Sequence, residues 1–111
     1  MPPFRPADLA RLIYKHRFVA YKNSMVEEQT ENKRKRLLFR SWHRGTRELD
    51  LLMGSFAERH LPAMSVEELS LYDIILTHPD PDLYNWITGQ EDVPANYMNP
   101  VMEMLLAHKI A

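Results

Sequence analysis

The chain has 111 residues, room for one domain but not for a large enzyme that encloses a cofactor. A hydrophobic fraction of 45% with 26% charged residues excludes wholesale disorder, and the absence of cysteine excludes disulfides, a thiolate nucleophile and cysteine-based metal sites. The net charge of −1 conceals a division, because residues 1–47 hold 12 Lys and Arg against 4 Asp and Glu, whereas residues 48–111 hold 2 against 11.

Such asymmetry has two readings. The halves attract each other within the fold, or the basic half meets an acidic partner, nucleic acid or a membrane surface. Apolar runs such as Ile74-Ile75-Leu76 are far shorter than the ~20 residues that span a bilayer, so no membrane insertion is expected. Three glycines and unalternated Val, Ile and Thr leave no punctuation for a β protein. The expected class is all-α, a compact five-helix bundle behind an N-terminal extension.

Residues 1–26 form that extension and residues 27–111 the helical domain. Pro2, Pro3 and Pro6 open the chain. Leu9, Leu12, Ile13 and His16 then recur at helical spacing among Arg11, Lys15, Arg17 and Lys22. The segment reads as a basic tail, as a targeting segment poor in serine, or as a start assigned too early, with Met25 as the alternative start.

From Glu27 to Trp42 a charged run leads into Leu37, Leu38 and Phe39, with Leu38 and Trp42 one turn apart on the first core helix. Its Lys33-Arg34-Lys35-Arg36 cluster is a solvated face or a grip for phosphates. From Thr46 to Leu61, Leu49, Leu52, Met53 and Phe56 make the stripe of a core-facing helix, and Gly54 inside it points to close helix approach.

Pro62 stops that helix, and Ser65 with Glu68 forms a capping box for a third running from Val66 to Thr77, with Leu69, Tyr72, Ile75 and Leu76 inward. Asp80-Pro81 predicts a capping acid and a proline at the first helical position of a short helix through Leu83, Trp86 and Ile87, ended by Gly89. Asn99-Pro100 starts the last helix, which turns Val101, Met104 and Leu105 inward.

No catalytic constellation emerges. His16, His43, His60, His78 and His108 stand singly, without the spacing of a zinc site. The paired acids Glu67/Glu68 and Asp80/Asp82 belong to helix first turns, where the backbone dipole favours negative charge. Phosphate loops and nucleophile elbows are missing, so no metal and no stably held cofactor is expected.

The unusual stretch is Trp42-His43-Arg44-Gly45-Thr46-Arg47-Glu48, at the junction of the first two core helices. Gly45 there permits positive φ and leaves the backbone bare to an approaching surface. Arg44 and Glu48 would lie near one another in roughly helical geometry. The pair is either an intramolecular ion pair or part of a docking corner.

Arg44-Gly45-x-x-Glu48, continuing as Leu49-Asp50 and followed by Asp80-Pro81-Asp82-Leu83-Tyr84-Asn85-Trp86, resembles the SdhE family of succinate dehydrogenase flavinylation assembly factors, whose hallmark is an RGxxE motif. The resemblance covers about residues 33–109. It implies a non-enzymatic factor that binds the flavoprotein subunit of succinate dehydrogenase, in some bacteria also that of fumarate reductase, and promotes covalent attachment of its FAD. It implies a client-binding surface at Arg44, Gly45 and Glu48, with His43 and Arg47 beside them. Asp82, Leu83, Tyr84, Asn85 and Trp86 match the second motif, Leu83 and Trp86 in the core and Tyr84 and Asn85 free to face a partner. The corresponding setting is the cytoplasm of a bacterium, or the mitochondrial matrix if residues 1–24 are a transit peptide, and a monomer is expected. The rival reading is a basic helical module that binds nucleic acid through Lys33-Arg34-Lys35-Arg36, Arg40, Arg44 and Arg47.

Overall fold

The computed structural model describes residues 25–108, and all but the last two residues of the basic extension expected over residues 1–26 lie outside them. The chain divides into two units, residues 1–32 and 33–111. In the first, the described residues 25–32 are helical. In the second, the described residues form five helices: α1 (residues 33–42), α2 (Arg47–His60), α3 (Val66–Ile75), α4 (Asp80–Ile87) and α5 (Pro100–Ala107). Short 3-10 turns, Leu61–Ala63 and Ala95–Tyr97, join α2 to α3 and α4 to α5. The described residues contain no strand, as the all-α expectation requires.

The apolar periodicity carries the packing. Leu49, Met53, Phe56 and Ala57 of α2 are wholly buried with Leu69 and Tyr72 of α3, Leu83 of α4, and Val101 and Met102 of α5. Helix α3 packs on α5, α2 on α4, and α4 on α5. Each helix start carries its own explanation. Thr46 caps α2 by accepting from Leu49 N–H, Asn99 caps α5 by accepting from Met102 N–H, and Ser65 and Glu68 close the expected capping box on α3. Gly89 ends α4 with φ of 78°, a left-handed conformation that suits glycine.

Helix α1 differs from its apolar reading. Its inward face is Leu37 and Ser41, both buried, while Leu38 only flanks the core and Phe39 is 63% exposed. Ser41 is tolerated because its hydroxyl lies 2.7 Å from the Leu37 carbonyl and 2.6 Å from the Tyr72 hydroxyl, so no polar atom is stranded. Burial pushes the Tyr72 phenol up to about 12, against the opposing pull of that hydrogen bond. Trp42 lies over Gly54, where an added Cβ would fall within the indole ring, which accounts for a glycine inside α2.

Candidate functional site

The site forms where the junction of α1 and α2 meets the turn between α3 and α4. Residues 43–46 bend away from helical geometry before α2 begins at Arg47. This bend overturns the expected Arg44–Glu48 pair, because Arg44 lies outside the helix and the one-turn spacing no longer brings the two side chains together. Arg44 turns instead to the α3–α4 turn. Its Nε donates to Asp80 Oδ1 at 2.9 Å, its Nη1 to the Leu76 carbonyl at 2.6 Å and its Nη2 to the His78 carbonyl at 2.8 Å. The ion pair with Asp80 is 2.8 Å long and its side chains are only 12% and 23% exposed.

This guanidinium fills a structural need. Leu76 caps the C-terminus of α3, where carbonyls lack helical partners and a cation complements the dipole. Asp80 opens α4, where an anion is favoured. The N-cap of α4 is Pro79, without a side-chain bond, and Pro81 occupies the second helical position, so Asp80 is not the capping acid the sequence suggested. Its carboxylate is committed across the fold instead. Oδ2 accepts from Gly45 N–H at 2.7 Å, and the preceding Arg44 N–H donates to Asp50 Oδ1 at 2.5 Å.

Gly45 needs another explanation too. Gly89 alone among the described residues has positive φ, so conformational freedom does not require glycine at position 45. Space does: a Cβ there would stand 2.7 Å from Asp80 Oδ2.

Beside this staple runs an open groove of about 440 Å³, lined by Thr46, Glu48, Asp80, Pro81, Tyr84 and Asn85. It brings both sequence motifs to one surface. Glu48 projects from the first turn of α2, and Tyr84 and Asn85 from the outer side of α4. Among the described residues, the Glu48 carboxylate, the Tyr84 hydroxyl and the Asn85 side-chain amide have no hydrogen-bond partner in the fold. Leu83 and Trp86 of the second motif are buried as expected, and Asp82 is half-buried outside the groove lining.

His43 and Arg47 are exposed but not part of the groove. The His43 ring stacks on Phe39, with centroids 3.9 Å apart, and its Nδ1 donates to the Phe39 carbonyl at 2.7 Å. Asp80 is the functional residue that sequence reasoning misplaced. Nothing in an Asp-Pro pair distinguishes a local cap from an acid that reaches a distant arginine.

Much of the basic cluster is engaged within the fold. Arg34 donates to the carbonyls of Leu61 at 3.0 Å and Met64 at 2.8 Å, Arg40 to Asp73 at 2.7 Å, and Lys33 pairs with Asp73 at 3.9 Å. The nucleic-acid reading therefore loses four of its proposed phosphate grips, Arg44 among them. His60 and His108, singletons in sequence, meet beside Phe56 with ring centroids 6.0 Å apart. No group of three or more described His, Asp or Glu residues is placed to hold a metal ion. No described helix is long and apolar enough to cross a membrane.

Comparison with known proteins gives this geometry its context. The family profile described as the flavinator of succinate dehydrogenase (Sdh5) matches residues 35–109. A protein of Dictyostelium discoideum named succinate dehydrogenase assembly factor 2, mitochondrial, is 38% identical over 86 residues, covering 78% of this chain and 60% of its own length. The FAD assembly factor SdhE of Acetobacter pasteurianus is 36% identical over 84 residues, covering 76% of this chain and 77% of its own. An assembly factor 2 of Yarrowia lipolytica is 43% identical over 82 residues, covering 70% of this chain and 57% of its own. The chain thus spans about three-fifths of the length of the two mitochondrial relatives. The match takes in both motifs, the staple between them and the groove they line, and the chain belongs to the flavinator of succinate dehydrogenase family.

Proposed function

We propose that this chain binds the flavoprotein subunit of succinate dehydrogenase and promotes covalent attachment of its FAD, without being an enzyme itself. The observation that carries this reading is the groove at which Glu48, Tyr84 and Asn85 present polar groups left unpaired by the fold. Groups that already have internal partners gain little from a visitor, whereas free ones can bind it and set its orientation. In this reading Arg44, Gly45 and Asp80 hold the corner, while Glu48, Tyr84 and Asn85 touch the client, with His43 and Arg47 at its margin.

The mechanism is selection of a client conformation. A binder shifts an equilibrium only by its differential affinity for the two states, and a factor that prefers the arrangement in which flavin and acceptor side chain meet raises its population. Orientation alone can lower a barrier by up to ~7–11 kcal/mol in ideal cases. The bond-making chemistry then belongs to client and cofactor. The same reading extends to a fumarate reductase flavoprotein where one shares the client surface, to the bacterial cytoplasm or mitochondrial matrix as the setting, and to action as a monomer. It also expects no stable binding of free FAD.

The test is coexpression of the client flavoprotein with this chain or its Glu48→Ala and Tyr84→Ala variants, read as covalent flavin fluorescence on a denaturing gel. The proposal expects flavin signal with the parent chain and a marked loss with the folded variants. Parent-level signal in both variants would remove the groove from the mechanism.

A further inference from the structure

A second feature lies apart from that groove, on the outer side of α1. Between Lys33 and Arg47 the sequence holds seven Lys and Arg and no acid. The fold engages Lys33, Arg34, Arg40 and Arg44, as described above. Lys35 and Arg36 have no ion pair or hydrogen bond among the described residues. Together with Phe39 and Arg40 they line a shallow hollow of about 350 Å³.

Phe39 is the most exposed large apolar side chain of the described residues, at 63%. It is nevertheless held in place. The His43 ring lies nearly parallel to it, inclined by 18°, and the hydrogen bond from His43 Nδ1 to the Phe39 carbonyl fixes the pair. An aromatic ring presented rigidly in solvent loses little entropy on binding, and with cations around it the surface suits an apolar side chain flanked by negative charge.

We infer that the Lys35–Arg36–Phe39–His43 face of α1 docks an acidic polypeptide segment, with an apolar or aromatic residue of that segment seated against Phe39. The charge distribution selects a short segment over an extended polyanion. Residues 48–111 carry 11 acids against only 2 bases, so that part of the sequence adds few cations for a nucleic-acid strand or anionic membrane extending beyond the hollow. A segment that ends at the hollow needs none of them.

The full chain, isotopically labelled, is titrated with a synthetic peptide of alternating Glu and Phe. The controls are a peptide with Lys in place of Glu, a single-stranded oligonucleotide and phosphatidylserine vesicles. The inference expects amide shifts at residues 35–43 with the acidic peptide alone, affinity that weakens with salt, and about a tenfold loss in each of Arg36→Glu and Phe39→Ser, which replace exposed side chains. No shift by about 1 mM peptide overturns it. So do shifts confined to other residues, equal binding of the Lys peptide, tighter binding of oligonucleotide or vesicles, and loss of the peptide site to self-association of the chain. No flavin attachment is read, so this result and that of the coexpression test stand independently.

Discussion

The carboxylate of Asp80 holds Arg44 and Gly45 at once, receiving the guanidinium on Oδ1 at 2.9 Å and the next residue's backbone N–H on Oδ2 at 2.7 Å. Gly45 and Asp80 stand 35 positions apart in the chain, so this one side chain ties the entry of α2 to the start of α4. The groove between those helices inherits its shape from the tie.

Removing Asp80 leaves a partly buried guanidinium and an unpaired N–H. Asp80→Ala is expected to destabilise the fold by about 2–3 kcal/mol, and Asp80→Asn by less, because an amide oxygen still accepts. Urea unfolding followed by circular dichroism measures both. An unchanged midpoint for Asp80→Ala would show that the staple contributes nothing to stability.

Gly45→Ala places a methyl 2.7 Å from Asp80 Oδ2, and the carboxylate must move off its two partners. A loss of about 1–2 kcal/mol is expected. The diagnostic is a double-mutant cycle: in an Asp80→Ala background the same substitution should cost at least about 0.5 kcal/mol less, because the obstruction has gone. Additive losses would assign the glycine requirement to something else.

Glu48 and Arg44 belong to one motif but should separate experimentally. Glu48→Gln, on an exposed side chain without an internal partner, is expected to change stability by no more than about 0.5 kcal/mol while client flavinylation falls. Arg44→Ala should lower both, since its four side-chain contacts hold the corner. Thermal unfolding and gel fluorescence on the same preparations distinguish a docking loss from a folding loss.

Gly54→Ala drives a methyl into the Trp42 ring. Overpacking of this kind typically costs about 1–3 kcal/mol. Tryptophan fluorescence should shift as the indole is displaced.

The His60–His108 pair sets an expected acid response. Burial, then the Arg59 charge, holds His60 below the ordinary histidine range. Burial, then the charges of His60 and Arg59, does the same to His108, whose buried Nδ1 has no hydrogen-bond partner. Both fold more readily when neutral, so below about pH 6.5 the unfolded chain takes up protons first. Their stabilising contribution is present above that pH and declines as pH falls through the lowered folded values. Melting temperature measured from pH 7.5 to 5 should fall less steeply in the His60→Gln/His108→Gln double variant than in the parent.

Local information carried most of the fold. The stripe of Leu49, Met53 and Phe56, the Ser65–Glu68 capping box, the Asn99 cap and the Gly89 stop each act within a few residues, where side-chain periodicity and backbone capping decide the structure. The motifs too were visible as residue patterns. What no local pattern contained was their partnership. Whether Arg44 would meet Glu48 or Asp80, whether Ser41 could be buried, and which cations of residues 33–47 would be left unpaired depended on groups 30 or more positions away. A charged side chain exchanges solvent for whichever partner the packed helices bring within hydrogen-bond reach, and only the tertiary arrangement decides which one that is.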